Sequence, residues 1–346
     1  MTTSHRPMLN VKGREISVEG DTDRPILQSL LDAGIDYPHG CESGLCGLCK
    51  SRLICGDVDH DEYYESALTD VERKGGLILC CRARPLSDCT ISPVMQEADF
   101  PGVTQFQAPV LGVSKLTHDI TRVTVAADPS FVFLPGQYCR VSLPDSDSRD
   151  FSMANPPGQG HLEFFIRTVV GGRVTDGALK SLAVGDPLTV KGPFGGAYLR
   201  EASLGPMLAI AGGSGLAPIR SIVRCAVDRG MRQAIHVYLG VRAARDIYLE
   251  SELRELAASH DNVSLSIVLS EPDAHSRYRT GYLHAAIEED LRGVDVRSWS
   301  AYVAGPPPMV DAVLGVLRAL GISRQSCYAD PFLTSADVAR RDMVSA

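Results

Sequence analysis

Three cysteines crowd one short stretch, Cys41-x4-Cys46-x2-Cys49, and a fourth stands about thirty residues further on, at Cys80 or Cys81. Thiolates at this spacing, three from one loop and one from a distant segment, suit a 2Fe–2S cluster, which moves one electron at a time. Gly40, Gly44 and Gly47 are interleaved with them. Glycine lets such a loop fold tightly with its amides directed at sulfur, because it accepts positive φ, and those hydrogen bonds tune the potential. A structural zinc site is the competing reading. Zinc takes closely spaced ligand pairs from two segments, whereas the second segment offers only Cys80-Cys81. A thioredoxin-like pair would need a βαβ context, which the flanking pattern lacks.

A second chemistry-bearing stretch is Ile210-Ala211-Gly212-Gly213-Ser214-Gly215-Leu216-Ala217-Pro218. An apolar run leads into it and a helical pattern leads out. There glycine admits backbone amides to a pyrophosphate at a helix N-terminus, so Gly213, Ser214, Gly215 and Pro218 are candidate nucleotide-binding residues. The full GxGxxG fingerprint is not met, since Pro218 stands where the last glycine would be; proline is comfortable in a first helical turn. Gly240-Val241-Arg242 ends the next apolar run, with Arg245 and Asp246 close behind. A carboxylate at that place accepts the ribose hydroxyls of NADH, and an arginine pairs with the 2′-phosphate of NADPH. Both Arg242 and Asp246 are present, so the choice of donor stays open. Two further clusters are Arg149-Asp150-Phe151-Ser152 and Gly171-Gly172-Arg173-Val174-Thr175. Alone, each reads as a turn or a helix cap. Together they suggest a flavin held by an arginine, by a hydroxyl near the ring and by a helix N-terminus.

These groups need elements to position them. A chain of 346 residues leaves room for two or three domains, and 44% hydrophobic with 22% charged residues is ordinary for a globular protein. Residues 1–98 read as a small β-rich module. Met8–Lys12 and Glu15–Val18 form a hairpin about Gly13, and Pro25–Ala33 a helix with Asp23 as N-cap. A short helix starts near Thr69-Asp70, and strands follow at Ile78–Cys81 and Cys89–Ile91. Asp99-Phe100-Pro101-Gly102 is turn-rich, and 99–106 is taken as a linker. From 107 to 203, alternating runs at Val110–Leu116, Thr121–Ala126, Gln137–Leu143, Leu162–Thr168 and Pro187–Lys191 predict an antiparallel barrel, with a helix at Val174–Leu182. From 204 to 332 the pattern becomes βα units, which predicts a doubly wound parallel sheet. Its strands are Met207–Ala211, Ala234–Gly240, Val263–Leu269 and Ala301–Ala304. Its helices are Leu216–Asp228, Glu250–Ser259, His284–Leu291 and Met309–Leu320. Residues 333–346 read as a polar tail.

Net charge is −8, which argues against a nucleic-acid partner. Residues 1–98 hold 16 acidic against 10 basic side chains. Asp57, Asp59, Asp61, Glu62 and Glu65 gather just after the cysteine loop, either as a solvated face or to steer a basic partner. The opening residues Met1–Asn10 are polar and lack the apolar core of a signal peptide. No apolar run reaches the roughly 18 residues of a membrane span. A cytoplasmic protein with reduced thiols is expected.

The ordered set of motifs resembles the reductase components of bacterial aromatic oxygenases, and most closely those of naphthalene dioxygenase-type systems. The set runs from the cysteine loop through Arg-x-Phe-Ser, Gly-Gly-Arg-Val-Thr and Gly-Gly-Ser-Gly-Leu-Ala-Pro to Ala-Gly-Pro-Pro-Pro-Met. Phe194–Arg200 and Tyr328-Ala329-Asp330-Pro331-Phe332 add to the likeness, which covers about 8–332. The resemblance implies an N-terminal plant-type ferredoxin domain of β-grasp form, an FAD-binding barrel and a nicotinamide domain of the ferredoxin–NADP reductase superfamily.

It further implies that Cys41, Cys46, Cys49 and Cys81 bind the cluster. Arg149 would pair with flavin phosphate, and Phe151 would stack at the flavin. Ser152 would sit near flavin N5, and Gly172, Val174 and Thr175 would bracket the FAD pyrophosphate. Gly305 and Pro306 would line the nucleotide site. Phe332 would stack on the isoalloxazine and yield to nicotinamide; Ser152 and Phe332 are thus the candidate catalytic residues. Phe151 departs from the tyrosine common in the family, and Ala304 from a cysteine found near the hydride path. Cys55, Cys89, Cys139, Cys225 and Cys327 are expected to be small buried residues. The implied activity takes hydride from NADH or NADPH onto FAD and passes single electrons through the cluster. The acceptor is a Rieske ferredoxin or a terminal oxygenase, or alternatively a diiron monooxygenase. A redox sensor or a zinc-stabilised binding module are the readings from other classes.

Overall fold

The structure, a computed structural model, describes residues 6–94 apart from 14, 36, 41, 45, 46 and 66, and residues 101–333 apart from 144, 145, 170 and 172. Backbone contacts part the chain into two compact units at Phe100–Pro101.

The first unit is built on a five-stranded sheet. Met8–Val11 pairs antiparallel with Ile16–Glu19 and parallel with Cys89–Pro93. The sheet continues through Lys50–Cys55 to Leu77–Leu79. Helix Ile26–Asp32 covers it, burying Ile26, Leu27 and Leu30. Asp23 is not the cap: Pro25 occupies that position without a side-chain bond, and the Asp23 amide is taken by Asp21. The second helix, Asp70–Lys74, begins at Thr69 as expected. Thr69 and Glu72 form a reciprocal capping box, which satisfies two helix donors at once. The strand Lys50–Cys55 has no counterpart in the sequence reading. Its residues Lys-Ser-Arg-Leu-Ile-Cys lack a clean polar–apolar alternation, and Ser51 is its fully buried residue. It leaves Cys49 directly, so the cysteine loop runs straight into an interior strand of the sheet.

The second unit joins a barrel and a parallel sheet. The barrel order is Ser148–Ser152, Tyr138–Ser142, Pro187–Phe194, Thr104–Lys115, Ile120–Ala126 and His161–Arg167. All pairings are antiparallel. A bridge between Met153 and Phe164 links the two edge strands, and the Ala154 amide donates to the Glu163 carbonyl at 2.8 Å. Its interior is aliphatic and aromatic, with Val123, Val125, Met153, Phe164 and Val190 buried. In place of a regular helix over Val174–Leu182, the chain makes a π-helical turn, Arg173–Ala178, then one α turn, Leu179–Ser181.

The parallel sheet has the order Arg279–Thr280, Val263–Leu269, Ile235–Val241, Met207–Gly212, Ser300–Gly305 and Cys327–Pro331. Helices Leu216–Asp228 and Glu250–Ser259 pack on one face, and Leu283–Asp290 and Pro307–Leu320 on the other. The chain goes one way from Met207–Gly212 and then returns to its other side. The strand order therefore reverses between Met207–Gly212 and Ser300–Gly305, where open α/β sheets bind ligands. Ile120, Ala154, Phe165 and Leu199 of the barrel belong to the same apolar cluster as Leu216, Ile219, Val237 and Tyr302 of the sheet layer. That shared core makes the two parts one unit.

Candidate functional site

In the first unit, Cys49 and Cys81 are 3% and 5% exposed, and the Cys81 amide points at the Cys49 sulfur across 3.5 Å. Cys41 and Cys46 lie outside the described residues. Gly44 and Gly47 take φ of +74° and +71° as expected. A Cβ on Gly44 would come within 2.8 Å of Tyr63 Cβ. Tyr63, Tyr64, Ala67 and Arg82 pack on the described part of this loop: the Tyr64 amide donates to Gly44 O, and Arg82 donates to Ser43 O.

Cys80 goes the other way. It is fully buried, its thiol meets Ser51 Oγ at 3.2 Å, and Ser51 in turn bonds Tyr37 Oη and the Cys49 carbonyl. Burial pushes the Cys80 thiol up to about 12. The segment after Leu77–Leu79 thus sets the Cys81 amide on the Cys49 sulfur and the Cys80 sulfur against Ser51. It does not present the paired ligands that the zinc reading needs. Two buried thiols with a backbone amide on sulfur do fit an iron–sulfur cluster. Of the other cysteines, Cys89, Cys139 and Cys225 are buried and Cys327 is half-buried. Cys55 corrects the expectation, because it ends its strand on the outer face and is exposed.

In the second unit, strand Ser148–Ser152 pairs Arg149 with Val141, Phe151 with Cys139 and Ser152 with Tyr138. Arg149 and Phe151 are half-buried, and Ser152 is 6% exposed. Phe151 packs against Phe164, ring centres 6.4 Å apart. Ser152 Oγ donates to Asp330 Oδ2 at 3.2 Å. Thr175 Oγ1 accepts the Val169 amide at 3.0 Å, which ties the start of the π-helical turn to the end of the barrel strand. Gly172 and the side chain of Val174 lie outside the described residues. A cation, a buried hydroxyl and a half-exposed ring along one strand suit a flavin's phosphate, ring edge and ring face.

The glycine turn follows Met207–Gly212. Gly213 has φ of +55°, and its carbonyl accepts the buried Tyr248 hydroxyl at 2.9 Å. Ser214 is half-buried, and Pro218 is buried in the first turn of Leu216–Asp228. The turn Gly213–Gly215 runs straight into that helix, and the Leu216 amide returns to Gly213 O; with no side-chain cap on either, the amides of the glycine turn itself are the ones that suit an anion. Gly215 has an ordinary φ of −59°, so its requirement is close approach: a Cβ there would overlap the carbonyl oxygen of Ala304. A Cβ on Gly305 would lie 2.9 Å from Gly212 O. The two strand ends at the reversal are therefore in backbone contact. Pro306 caps Pro307–Leu320 and Pro307 follows it, so this second helix start lacks the amides that an anion would need.

Phe332 donates its amide to Gly305 O at 2.8 Å, beyond a strand that pairs Asp330 with Ala304. The fold thus brings Ser152, Gly215, Gly305 and Phe332 together through Asp330 and Ala304. Arg242 is exposed. Asp246 is not open in the same way: Oδ2 accepts the Ala243 amide at 2.9 Å, and Oδ1 lies 3.6 Å from His118 Nδ1.

Sequence reasoning missed Asp330, Arg167 and Tyr248 as site residues. Arg167 is held by Asp119 at 2.8 Å, and its Nη1 lies 3.8 Å from where a Cβ on Gly213 would be. Asp330 sat in a quoted motif but meets Ser152 only through tertiary structure. Among the described residues no helix is long and apolar enough to cross a membrane.

Three family models match in order: a 2Fe-2S iron-sulfur cluster binding domain at 9–86, an oxidoreductase FAD-binding domain at 107–198 and an oxidoreductase NAD-binding domain at 209–314. The ferredoxin–NAD(P)+ reductase component of the Pseudomonas putida naphthalene 1,2-dioxygenase system is 36% identical over 89% of this chain and 93% of its own. The phenol 2-monooxygenase reductase component of a Pseudomonas species is 33% identical over 95% of each. A solved cytochrome P450 reductase from Amycolatopsis superposes with a TM-score of 0.74 at 34% identity, over 94% of this chain and 98% of that one.

Gly215→Ala must push the glycine turn off the Ala304 carbonyl. It is expected to destabilise the second unit by about 1–3 kcal/mol, the usual cost of overpacking, read as a lower melting temperature by circular dichroism. An unchanged melt would mean that the two strand ends are not in contact.

Proposed function

The chain belongs to the reductase components of multicomponent oxygenase systems, and from that premise we propose which of its residues hold the cofactors and what accepts the electrons. It is an NAD(P)H-dependent oxidoreductase that binds FAD and a 2Fe–2S cluster. When bound, these groups supply the redox chemistry: a nicotinamide gives a hydride, the flavin takes the pair and the cluster passes electrons on singly.

Cys41, Cys46, Cys49 and Cys81 hold the cluster, with Cys80 kept as a thiol in the core. Arg149 pairs with flavin phosphate, Phe151 packs at the flavin, and Gly172, Val174 and Thr175 bracket the pyrophosphate. Ser152 presents its hydroxyl at the ring edge, and Asp330 fixes the direction of that hydroxyl. Phe332 covers the ring until nicotinamide displaces it. Gly213, Ser214, Gly215 and Pro218 hold the nicotinamide cofactor's pyrophosphate with Arg167 beside them. Gly305 and Pro306 line the other wall, and Arg242 or Asp246 meets the ribose. The observation that carries this reading is the meeting of two strand ends. Gly215 of the glycine turn touches Ala304, and Ala304 pairs with Asp330, the partner of Ser152. This supports a meeting of flavin edge and nicotinamide at these strand ends.

The acceptor is a Rieske ferredoxin or the terminal oxygenase of an aromatic dioxygenase, in a cytoplasmic system that keeps these thiols reduced. The likeness to a phenol 2-monooxygenase reductase favours a diiron monooxygenase as the second reading. Asp57, Asp59, Glu62 and Glu65 are exposed along the segment after Lys50–Cys55, which meets the cysteine loop at Tyr64, and Asp61 is engaged by Arg84 at 2.6 Å. This face steers a basic partner.

Anaerobic titration with NADH and then NADPH, followed by absorbance and low-temperature EPR, tests the assignment as a whole. Uptake of about three electrons per chain is expected, two at the flavin and one at the cluster, and the better donor decides between Asp246 and Arg242. A colourless protein, or flavin bleaching with no EPR signal even after dithionite, would overturn it. Cys81→Ser is expected to lose the cluster's absorbance and EPR signal while Cys80→Ser keeps both; the reverse would move the fourth thiolate to Cys80. With cytochrome c as a basic one-electron acceptor, reduction is expected to slow as salt rises and in the Asp59→Lys/Glu62→Lys variant. A flat salt dependence would make this face merely solvated.

A further inference from the structure

One buried cation lies between the barrel and the sheet layer. Arg220 stands two residues beyond Pro218 on helix Leu216–Asp228, and its side chain is 10% exposed. Its Nη1 donates to the Ala154 carbonyl at 2.7 Å and to Glu163 Oε2 at 3.0 Å. Its Nε and Nη2 donate to the two oxygens of Glu252, at 2.7 and 3.3 Å. Burial opposes ionisation of Glu252, but its hydrogen bonds and charge pairing with Arg220 and Arg224 outweigh that and hold its carboxyl below the usual range. The next residue, Ser221, is fully buried and donates to the Asn155 carbonyl at 2.8 Å. Asn155 in turn accepts the Glu163 amide and donates to His161 O.

The two ends of this arrangement are the two halves of the reaction site. Ala154 and Asn155 directly follow the Ser152–Met153 end of the flavin strand. Arg220 and Ser221 directly follow the glycine turn and Pro218. A planar guanidinium with donors in a fixed fork accepts little change in angle without losing bonds. The apolar core shared by the two parts holds them together, and a directional charge network across it adds a preferred register, the best-attested use of buried ion pairs.

Resting on the proposed hydride path, we infer that Arg220 is a positioning residue: bonded to Ala154, Glu163 and Glu252, it sets the glycine turn at one distance and angle from the flavin strand. It does not touch the reacting atoms. Its effect falls on the geometry of hydride transfer, which is steep: a misplacement of about 1 Å costs on the order of a hundredfold.

Stopped-flow reduction of the purified holoenzyme by NADH and by 4-deuterated NADH tests this. In Arg220→Met the limiting rate of flavin bleaching is expected to fall about tenfold or more, while FAD content, cluster EPR and reduction by dithionite stay as in the parent. The Kd for NADH taken from the same traces is expected to shift much less than the rate. Arg220→Lys keeps the charge without the fork and is expected to recover only part of the rate. Glu163→Gln, which keeps the side chain's size, is expected to show a smaller loss of the same kind, and it carries the test if Arg220→Met does not fold. Limiting rates within twofold of the parent, or rate losses that only track lost FAD, would overturn the inference. A parent protein whose flavin NADH does not bleach would instead overturn the proposed function.

Discussion

The second unit depends on a backbone contact that leaves no room for a side chain. Gly215 lies against the carbonyl of Ala304 and Gly305 against the carbonyl of Gly212, so the strands Met207–Gly212 and Ser300–Gly305 converge where the sheet reverses. Any Cβ there would pry the ends apart. The rest of the site is hung from this contact. Cys327–Pro331 pairs with Ser300–Gly305 and so carries Asp330 to Ser152 and Phe332 to Gly305. The helix that leaves the turn carries Arg220 back to the barrel. One close approach thus sets where the glycine turn lies and which barrel residues face it.

The cysteine loop obeys a different constraint, the need to bury sulfur without stranding polar groups. The backbone of Cys80 is tied on both sides: its carbonyl accepts the Leu27 amide at 2.8 Å, and its amide donates to Cys49 O at 3.2 Å. Cys80 enters a polar chain with Ser51 and Tyr37 in an otherwise apolar core, which satisfies all three groups as buried polar groups require. Cys81 is left beside Cys49. The loop glycines at positive φ let the chain pass under Tyr63 and Ala67 without a clash.

Much of this was legible in the residues. The cysteine spacing, the glycine turn and the change from alternating runs to βα units named the chemistry and the order of the domains. Helices Leu216–Asp228 and Glu250–Ser259 and strand Val263–Leu269 fall where periodicity put them, because each presents a continuous apolar face to a core. Elements without such a face were missed. Lys50–Cys55 is an interior strand of its sheet but is polar at three of six positions. Cys327–Pro331 is half-buried throughout, and the π-helical turn at Arg173–Ala178 has no distinct sequence period.

Local spacing therefore determined which groups this protein carries, since a thiolate set or a phosphate turn is written within a few neighbouring residues. Tertiary structure decided which of them meet. Ser152 and Asp330 are 178 residues apart, and Arg220 reaches Glu163 and Glu252 from opposite sides in sequence. Only the fold shows that Cys80 meets Ser51 while the Cys81 amide meets the Cys49 sulfur. Such pairings depend on the register of strands and the packing of a shared core, and no pattern along the chain encodes a distance between segments that touch only after folding.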